Sequence, residues 1–204
     1  MKRLEDIELF RMTHIENIPH ILRYGITHKK SVNTNPEYKD VGDKIIISER
    51  DKKEVPVKNA ADKVIKKIVL GDYIPFNFGV KMPMLYRIQD RDCNFYKSIP
   101  AEEIVYTVCS LVKIIELNNE FYFSDGHAID FFTTFYDKSK ISDIINIIDW
   151  EAITCNYWGG KKNLELKRKK QAEFLIKGDI PFSVIKKFIC YNKKANSKLL
   201  VSYS

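Results

Sequence analysis

The carboxylate best suited to chemistry is Glu173, which lies in the apolar segment AEFLI at 172–176, directly after the basic run KRKK. Burying a carboxylate in an apolar strand is costly unless the group has a partner or a chemical task. A buried Glu173 would therefore be a candidate catalytic group. Strand alternation equally allows Glu173 to point outward between inward-facing Ala172 and Phe174, and the pattern alone leaves both interpretations open.

Two histidines lie at places where an anion could bind. His14 stands between a predicted strand and a predicted helix, and His127 follows the Asp125-Gly126 turn and is predicted to open another helix. Backbone N–H groups and the helix dipole favour anions at helix starts, so the pair would suit a ligand with two phosphates. The simpler interpretation of His14 is a helix-capping residue with its ring on the surface.

Basic residues offer weaker signals. Arg50 lies in the charged segment ERDKKE, where a surface arginine is the simpler interpretation. The basic run at 167–170 is more often a solvated face, but beside Tyr157 and Trp158 it combines charge with aromatic rings, as in sites for single-stranded nucleic acid. The net charge of +7 agrees with a phosphate-rich partner without requiring one.

Composition excludes several classes of protein. At 204 residues and 45% hydrophobic content, one ordered domain spanning 1–204 is expected. No membrane span, P-loop, GxGxxG, GxSxG or HExxH motif is present, and the histidine spacing predicts no metal site. We expect a cytoplasmic monomer whose cysteines are unpaired core residues in a reducing compartment. These cysteines are Cys93, Cys109, Cys155 and Cys190.

The elements that must position these residues are predicted to form an α+β fold with several antiparallel strands and helices at the side. Apolar and β-branched runs predict strands, whereas apolar residues at helical spacing predict helices. Polar loops are expected at 27–43 and 49–59. The predicted strands are 7–13, 44–48, 69–78, 84–88, 103–115 as the central strand, 172–176 and 184–191, and the predicted helices are 15–22, 60–67 and 141–148.

Five segments, in their order along the chain, resemble the DarT family of DNA ADP-ribosyltransferases. Each is weak alone, but the set is specific and extends from near the start of the chain to about residue 180. The segments are LFRMTHIENIPHIL at 9–22, GDYIPFNFGVKMPMLY at 71–86, FSDGHA at 123–128, DWEAITCNYW at 149–158 and RKKQAEFLI at 168–176.

The resemblance implies a split antiparallel sheet with flanking helices, NAD as the ADP-ribose donor, and single-stranded DNA as the acceptor. Glu173 of QAEF would be catalytic together with Arg50, and Arg50 would also contact NAD. Thr13, His14 and Asn17 of the TH element and His127 of the DGHA element would be further NAD contacts.

An acceptor groove would need basic and aromatic residues. The candidates are Tyr157, Trp158, Lys161, Lys162, Arg168 and Lys169, with the loops at 27–43 and 49–59 gripping the strand. The family also implies a bacterial toxin with a macrodomain antitoxin. Thymine is the preferred target base and guanine the alternative. A non-catalytic nucleic-acid-binding module and a transferase that modifies protein are the competing interpretations.

Overall fold

The computed structural model describes residues 2–89 and 99–201, with only the backbone of Val201. Cys93 therefore lies outside the described residues. Within these described residues, nine strands form one sheet. They are β1 (Glu8–His14), β2 (Glu54–Lys58), β3 (Val64–Val69), β4 (Tyr73–Asn77), β5 (Ile104–Ser110), β6 (Phe121–Ser124), β7 (Phe135–Tyr136), β8 (Glu173–Lys177) and β9 (Ile185–Cys190).

Short helices flank the sheet. No helix in the described ranges has both the length and the apolar character needed to cross a bilayer. The α-helices are α1 (Ile18–Tyr24), α2 (Lys44–Arg50), α3 (Pro83–Gln89), α4 (Leu111–Glu116), α5 (Ile144–Ile147), α6 (Trp150–Thr154), α7 (Leu164–Lys170) and α8 (Lys193–Val201).

The strand order is β3-β2-β7-β6-β8-β4-β1-β5-β9. Every pairing is antiparallel except β2 with β7, which is parallel. β1 and β4 share a single register pair, Phe10 with Asn77, whereas β1 pairs with β5 over seven residues. The sheet is thus split into a six-stranded and a three-stranded half, which confirms the predicted α+β fold with a split sheet.

The core lies beneath the strands that run through the middle of the sheet. Phe76, Phe123 and Phe174, from β4, β6 and β8, are each at most 1% exposed, and the isoleucines of α1 and α5 pack on the same cluster. Burial of apolar side chains is the dominant stabilising contribution to such a fold. Because β8 is buried on both faces, its first residue enters the site from a rigid element.

Four predicted elements are wrong in type. The segment 49–59, predicted as a polar loop, contains the end of helix α2 and then strand β2 over Glu54–Lys58. Residues 44–48 form part of helix α2, because the Asp43 side chain caps the helix by accepting hydrogen bonds from the amides of Ile45 and Ile46. Residues 84–88 belong to helix α3, which begins at Pro83, a residue favoured in the first helical turn. Residues 60–67 form a turn and the edge strand β3, paired with β2, instead of a helix.

Two further predictions need correction. The run 103–115 is a strand only over Ile104–Ser110, continues as helix α4, and lies next to the sheet edge, with β8 in the central place. His127 opens no helix and lies in a turn. Cys109 is buried as predicted, Cys155 and Cys190 are partly buried, and all three are free thiols.

Candidate active site

A deep cleft opens where the two halves of the sheet diverge. Its volume is about 1380 Å³, larger than the roughly 300–1,000 Å³ of most ligand pockets, so a dinucleotide and part of a second substrate could share it. Four predicted site residues line it, namely His14, Arg50, His127 and Glu173. Among the residues the structure describes, no three His, Cys, Asp or Glu side chains lie close enough to hold a metal ion.

Glu173 faces inward and is only 5% exposed, which settles the alternative left open by strand alternation. Arg50 Nη1 donates a hydrogen bond to Oε1 at 3.0 Å and lies 2.9 Å from Oε2. Arg50 Nη2 and Glu173 Oε2 are buried and make no hydrogen bond within the described ranges. A buried nitrogen and a buried oxygen without hydrogen bonds need an explanation, and in this cleft a bound polar ligand would supply one.

Local structure explains how this pair meets. Glu173 begins β8, where it is paired with Asn77 at the end of β4, so both side chains stand at the mouth of the split. Arg50 is the last residue of α2, and the helix is anchored at its other end by the Asp43 cap. The interpretation of Arg50 as a surface residue is therefore wrong. Its side chain is largely buried and pairs with Glu173, which lies 123 residues later in the sequence.

The turn that carries His127 lies against Glu173. The Ala128 amide donates to Glu173 Oε1 at 3.4 Å, and the His127 amide donates to the Arg168 carbonyl at 2.9 Å. Burial lowers the pKa of His127, with the Glu173 carboxylate opposing the shift. The imidazole is therefore neutral near pH 7 and can offer a hydrogen bond without carrying charge.

Arg168 occupies a different place from the one predicted. It is 9% exposed, and its guanidinium bonds to Asp125 at 3.0 Å and to Glu165 at 2.7 Å. The hydrogen bond to Glu165, helped by Asp125, raises its pKa further above the usual range. Arg168 therefore fastens α7 to the His127 turn, and with its donors taken up it is not an exposed contact for DNA.

His14 lines the cleft, but both of its ring nitrogens have protein partners. Nδ1 accepts a hydrogen bond from the Glu16 amide, which leaves the proton on Nε2 to donate to Glu103 at 3.2 Å. The capping interpretation is thus confirmed, although the ring is buried and not on the surface.

Thr13 and Asn17 are not brought into the cleft. Both are 1% exposed, and Asn17 Nδ2 donates to Thr13 Oγ1 and to the Lys39 carbonyl. Asn17 Oδ1 accepts from the Lys39 amide at 2.9 Å. The structure therefore gives these two residues the task of holding the 27–43 segment, in place of the predicted direct contact with NAD.

The remaining predicted DNA-binding residues lie on and beside α7. Tyr157, Lys161 and Lys162 are exposed, Trp158 is partly buried, and Lys169 pairs with Asp149 at 3.1 Å.

Lys170, by contrast, is 1% exposed, and its Nζ donates to the carbonyls of Ile153 and Cys155 at 2.8 Å. The same Nζ lies 5.0 Å from the centre of the Trp158 ring. Lys170 therefore clamps the segment that carries Tyr157 and Trp158 against α7.

Sequence reasoning missed several cleft residues. Asn77, Gln171 and the Ala128 amide lie at or beside Glu173. Asn77 carried no signal, because an asparagine at a strand end is ordinary.

Comparison with known proteins identifies a family. The profile of the family described as ssDNA thymidine ADP-ribosyltransferase, DarT, matches residues 10–202. A DNA ADP-ribosyl transferase of Thermus sp. (strain 2.9) is 29% identical over 98% of this chain and 90% of its own length. A DNA ADP-ribosyl transferase-DNA ADP-ribosyl glycohydrolase fusion protein of Thermosipho africanus is 29% identical over 83% of this chain and 38% of the fusion.

Solved structures of the Thermus sp. 2.9 protein share the fold. Its complex with ADP-ribosylated ssDNA has a TM-score of 0.79 at 28% identity and covers 100% of this chain and 91% of that chain. Its complex with NAD+ has a TM-score of 0.73 at 26% identity, and the match covers 97% of this chain and 88% of that chain. This chain therefore belongs to the DarT family of DNA ADP-ribosyltransferases.

Proposed function

We propose that the chain, as one catalytic domain over 1–204, transfers ADP-ribose from NAD to a base of single-stranded DNA, with Glu173 and Arg50 as the catalytic residues. The supporting observation is the buried Glu173–Arg50 pair in the split of the sheet, with one unpaired polar atom on each partner. Family membership supplies the donor and the acceptor, since relatives were solved with NAD+ and with ADP-ribosylated ssDNA.

The chemistry follows from the charge that develops at the sugar. Breaking the bond between nicotinamide and ribose gives the ribose oxocarbenium character, as in glycoside transfer, and a carboxylate close to the ribose stabilises that charge. The acceptor base then attacks the sugar carbon and loses a proton. Glu173 is the group placed to take this proton, a contribution worth roughly 10²–10⁴ in rate.

Arg50 and His127 would orient the donor. Arg50 Nη2 has no partner among the described residues and would donate to an oxygen of NAD, while Nη1 holds the Glu173 carboxylate in position in the cleft. Neutral His127 would add a hydrogen bond from the opposite turn. His14 would pack its ring against NAD, and Thr13 and Asn17 would act indirectly by holding the 27–43 segment.

The acceptor strand would approach over the surface of α7 and the segment before it. Tyr157 and Trp158 would stack on bases, and Lys161, Lys162 and Lys169 would contact phosphates. Arg168 is left out of this set because its guanidinium is buried in ion pairs. We propose thymine as the target base, in line with the description of the matching family, with guanine as the alternative.

We further propose that the enzyme is the toxin of a bacterial pair, reversed by a macrodomain antitoxin. The support is the Thermosipho relative, in which a DNA ADP-ribosyl transferase and a DNA ADP-ribosyl glycohydrolase form one chain. Expression of the chain alone in bacteria should arrest growth, and co-expression of a macrodomain glycohydrolase should restore it. Normal growth on expression of the active protein would contradict the toxin role.

Labelled NAD and a panel of single-stranded oligonucleotides, one base type varied at a time, test the activity directly. Wild-type protein should label thymine-containing DNA, and Glu173→Gln should lower the rate at least about 100-fold, because the neutral amide can neither balance the sugar charge nor take the proton. Mass spectrometry of the digested oligonucleotide names the base.

Glu116→Gln is the matched control, because Glu116 is an exposed glutamate at the end of α4, and it should retain the wild-type rate. Label on protein instead of DNA would support a protein-directed transferase. DNA binding with no transfer would support a non-catalytic module.

A further inference from the structure

Two adjacent phenylalanines stand free on the loop between β6 and β7. Phe131 is 89% exposed and Phe132 is 76% exposed. The centres of the two rings lie 5.4 Å apart and the ring planes meet at 85°, so the rings form a corner with open faces. Single exposed apolar residues are common, but two large neighbouring rings held out together mark an interaction surface.

The loop that carries them is held in a fixed conformation. Asp130 Oδ1 accepts from the Phe132 amide at 2.9 Å, and Thr133 Oγ1 donates to the His127 carbonyl at 2.8 Å. Arg168 bonds to the same Thr133 oxygen at 3.3 Å. These hydrogen bonds, here called the loop frame, hold the backbone that carries Phe131 and Phe132 in one conformation.

The loop that contains this frame also borders the candidate active site. Three residues before Phe131, the Ala128 amide contacts Glu173, and His127 lines the cleft. Lys167 also lines the cleft, lies near enough to His127 to contribute to its lowered pKa, and forms no ion pair with any described residue. A cation that lines the cleft, together with open aromatic rings on the loop that leads to it, suits a chain that carries both phosphates and flat bases.

We propose that Phe131 and Phe132 form a stacking platform for unpaired bases that flank the target base, with Lys167 contacting the phosphate between them. This inference rests on the proposed function, because it assigns part of the DNA to a second surface apart from Tyr157 and Trp158. Single-stranded DNA is favoured over a protein partner because stacking on aromatic faces tolerates any base, whereas a protein would need a closed apolar contact.

Binding of a fluorescent single-stranded oligonucleotide to the wild-type protein without NAD, followed by anisotropy, tests the platform. The variants are Phe131→Ala, Phe132→Ala, the double variant, and each phenylalanine changed to Trp or Leu. Removing one aromatic side chain that stacks on a base typically weakens binding and raises the Kd roughly 5- to 150-fold. We expect at least about fivefold weakening for each Ala and Leu variant and near wild-type binding for the Trp variants.

Oligonucleotides with single abasic sites on either side of the target base identify the contact. If the rings stack on those bases, removing the base and removing the ring should weaken binding to the same extent and should not add. Tyr191→Ala is the matched control, because Tyr191 is an exposed aromatic residue just after β9, at the far edge of the sheet. Thermal melts should match the wild type, since both side chains lie outside the core.

The outcomes separate the two proposals. Unchanged Kd in the double Ala variant, or full binding in the Leu variants, overturns the stacking platform while leaving the transferase intact. Fully additive losses with the abasic oligonucleotides also overturn it. If the wild-type protein neither binds nor labels DNA, the proposed function fails first and the platform fails with it.

Discussion

The Glu173–Arg50 pair joins helix α2 to strand β8 inside the cleft. A nearly buried carboxylate would be strongly disfavoured alone, and the Arg50 guanidinium balances its charge at 2.9–3.0 Å. The contact uses only Nη1, so Arg50 Nη2 and Glu173 Oε2 stay without hydrogen bonds. Such unsatisfied groups destabilise a protein, and they are expected at sites that bind a ligand.

The buried lysine Lys170 should stabilise the fold through its hydrogen bonds to backbone carbonyls. Changing Lys170 to Met removes the donor for the carbonyls of Ile153 and Cys155 at the end of α6, and hydrogen bonds to a charged group are worth about 1.5–3 kcal/mol. We expect a free energy of unfolding lower by about 2 kcal/mol in urea titrations, with weaker DNA binding through displacement of Trp158. Lys169→Met, which loses only a partly exposed pair with Asp149, should change stability by less than about 1 kcal/mol.

At the scale of elements, sequence reasoning succeeded where local pattern and tertiary context agree. Strands β1, β8 and β9 and helix α1 follow their patterns closely, and the inward position of Glu173 follows once β8 is buried on both faces. It failed at 44–48, where three isoleucines favour a strand but the Asp43 cap begins a helix. It also failed at 60–67, where the Asn59 side chain and the positive φ of Asp62 turn the chain into β3.

The same limit applies to the candidate site. Glu173, His14 and His127 were identifiable as candidates from their residue types and positions, and the family resemblance supplied their roles. The structural tasks of Arg168, Thr13 and Asn17 could not be predicted, because their partners Asp125 and Lys39 are distant in the chain or lie in a loop. Long-range pairing of polar groups leaves no periodic signal in the sequence.

The contact between α7 and the His127 turn depends on Gly126. A Cβ at this position would lie 2.3 Å from Arg168 Nη1 and 2.9 Å from Thr133 Oγ1, so the guanidinium must shift and lose Asp125. We expect Gly126→Ala to lower the free energy of unfolding by about 1–3 kcal/mol, as overpacking does, and to slow NAD cleavage by displacing the turn beside Glu173.

Chemical denaturation and nicotinamide release measure the two effects of Gly126→Ala. Gly159→Ala is the control for stability, because its Cβ would meet Tyr157 only at ordinary contact distances of 3.4–3.5 Å. A fully stable and active Gly126→Ala protein would show that the Arg168 contact does not position the turn.

For the whole molecule, the 27–43 segment links the two halves of the split sheet. On the six-stranded side, His28 Nε2 bonds to the Gly71 carbonyl at 3.0 Å, and Ser31 Oγ bonds to Asp179 at 2.5 Å. On the three-stranded side, the Asn17 amide group holds the backbone of Lys39. Since the halves share only one register pair at the split, the hydrogen bonds of this segment add a second connection between them.

The attachment through His28 should make the stability of the molecule depend on pH. Nε2 donates to Gly71 while Nδ1 accepts from the Lys30 amide, and the second of these bonds requires the neutral ring. Burial lowers the pKa of His28, with the Gly71 hydrogen bond and Asp72 opposing the shift and Lys29 and Lys30 adding to it, and burial also lowers the pKa of His127.

In the unfolded chain both histidines have a pKa near 6.5, so they bind protons at a higher pH than they do in the folded protein. Their neutral forms therefore give full stability above about pH 6.5, and that stability is lost as the pH falls below it. Urea titrations between pH 7.5 and 5 should show a falling free energy of unfolding, with a smaller fall in His28→Gln and the smallest in the double variant with His127→Gln. An equal fall in wild type and double variant would mean that carboxylates, not these histidines, set the response, and that the 27–43 segment is held independently of the charge on His28.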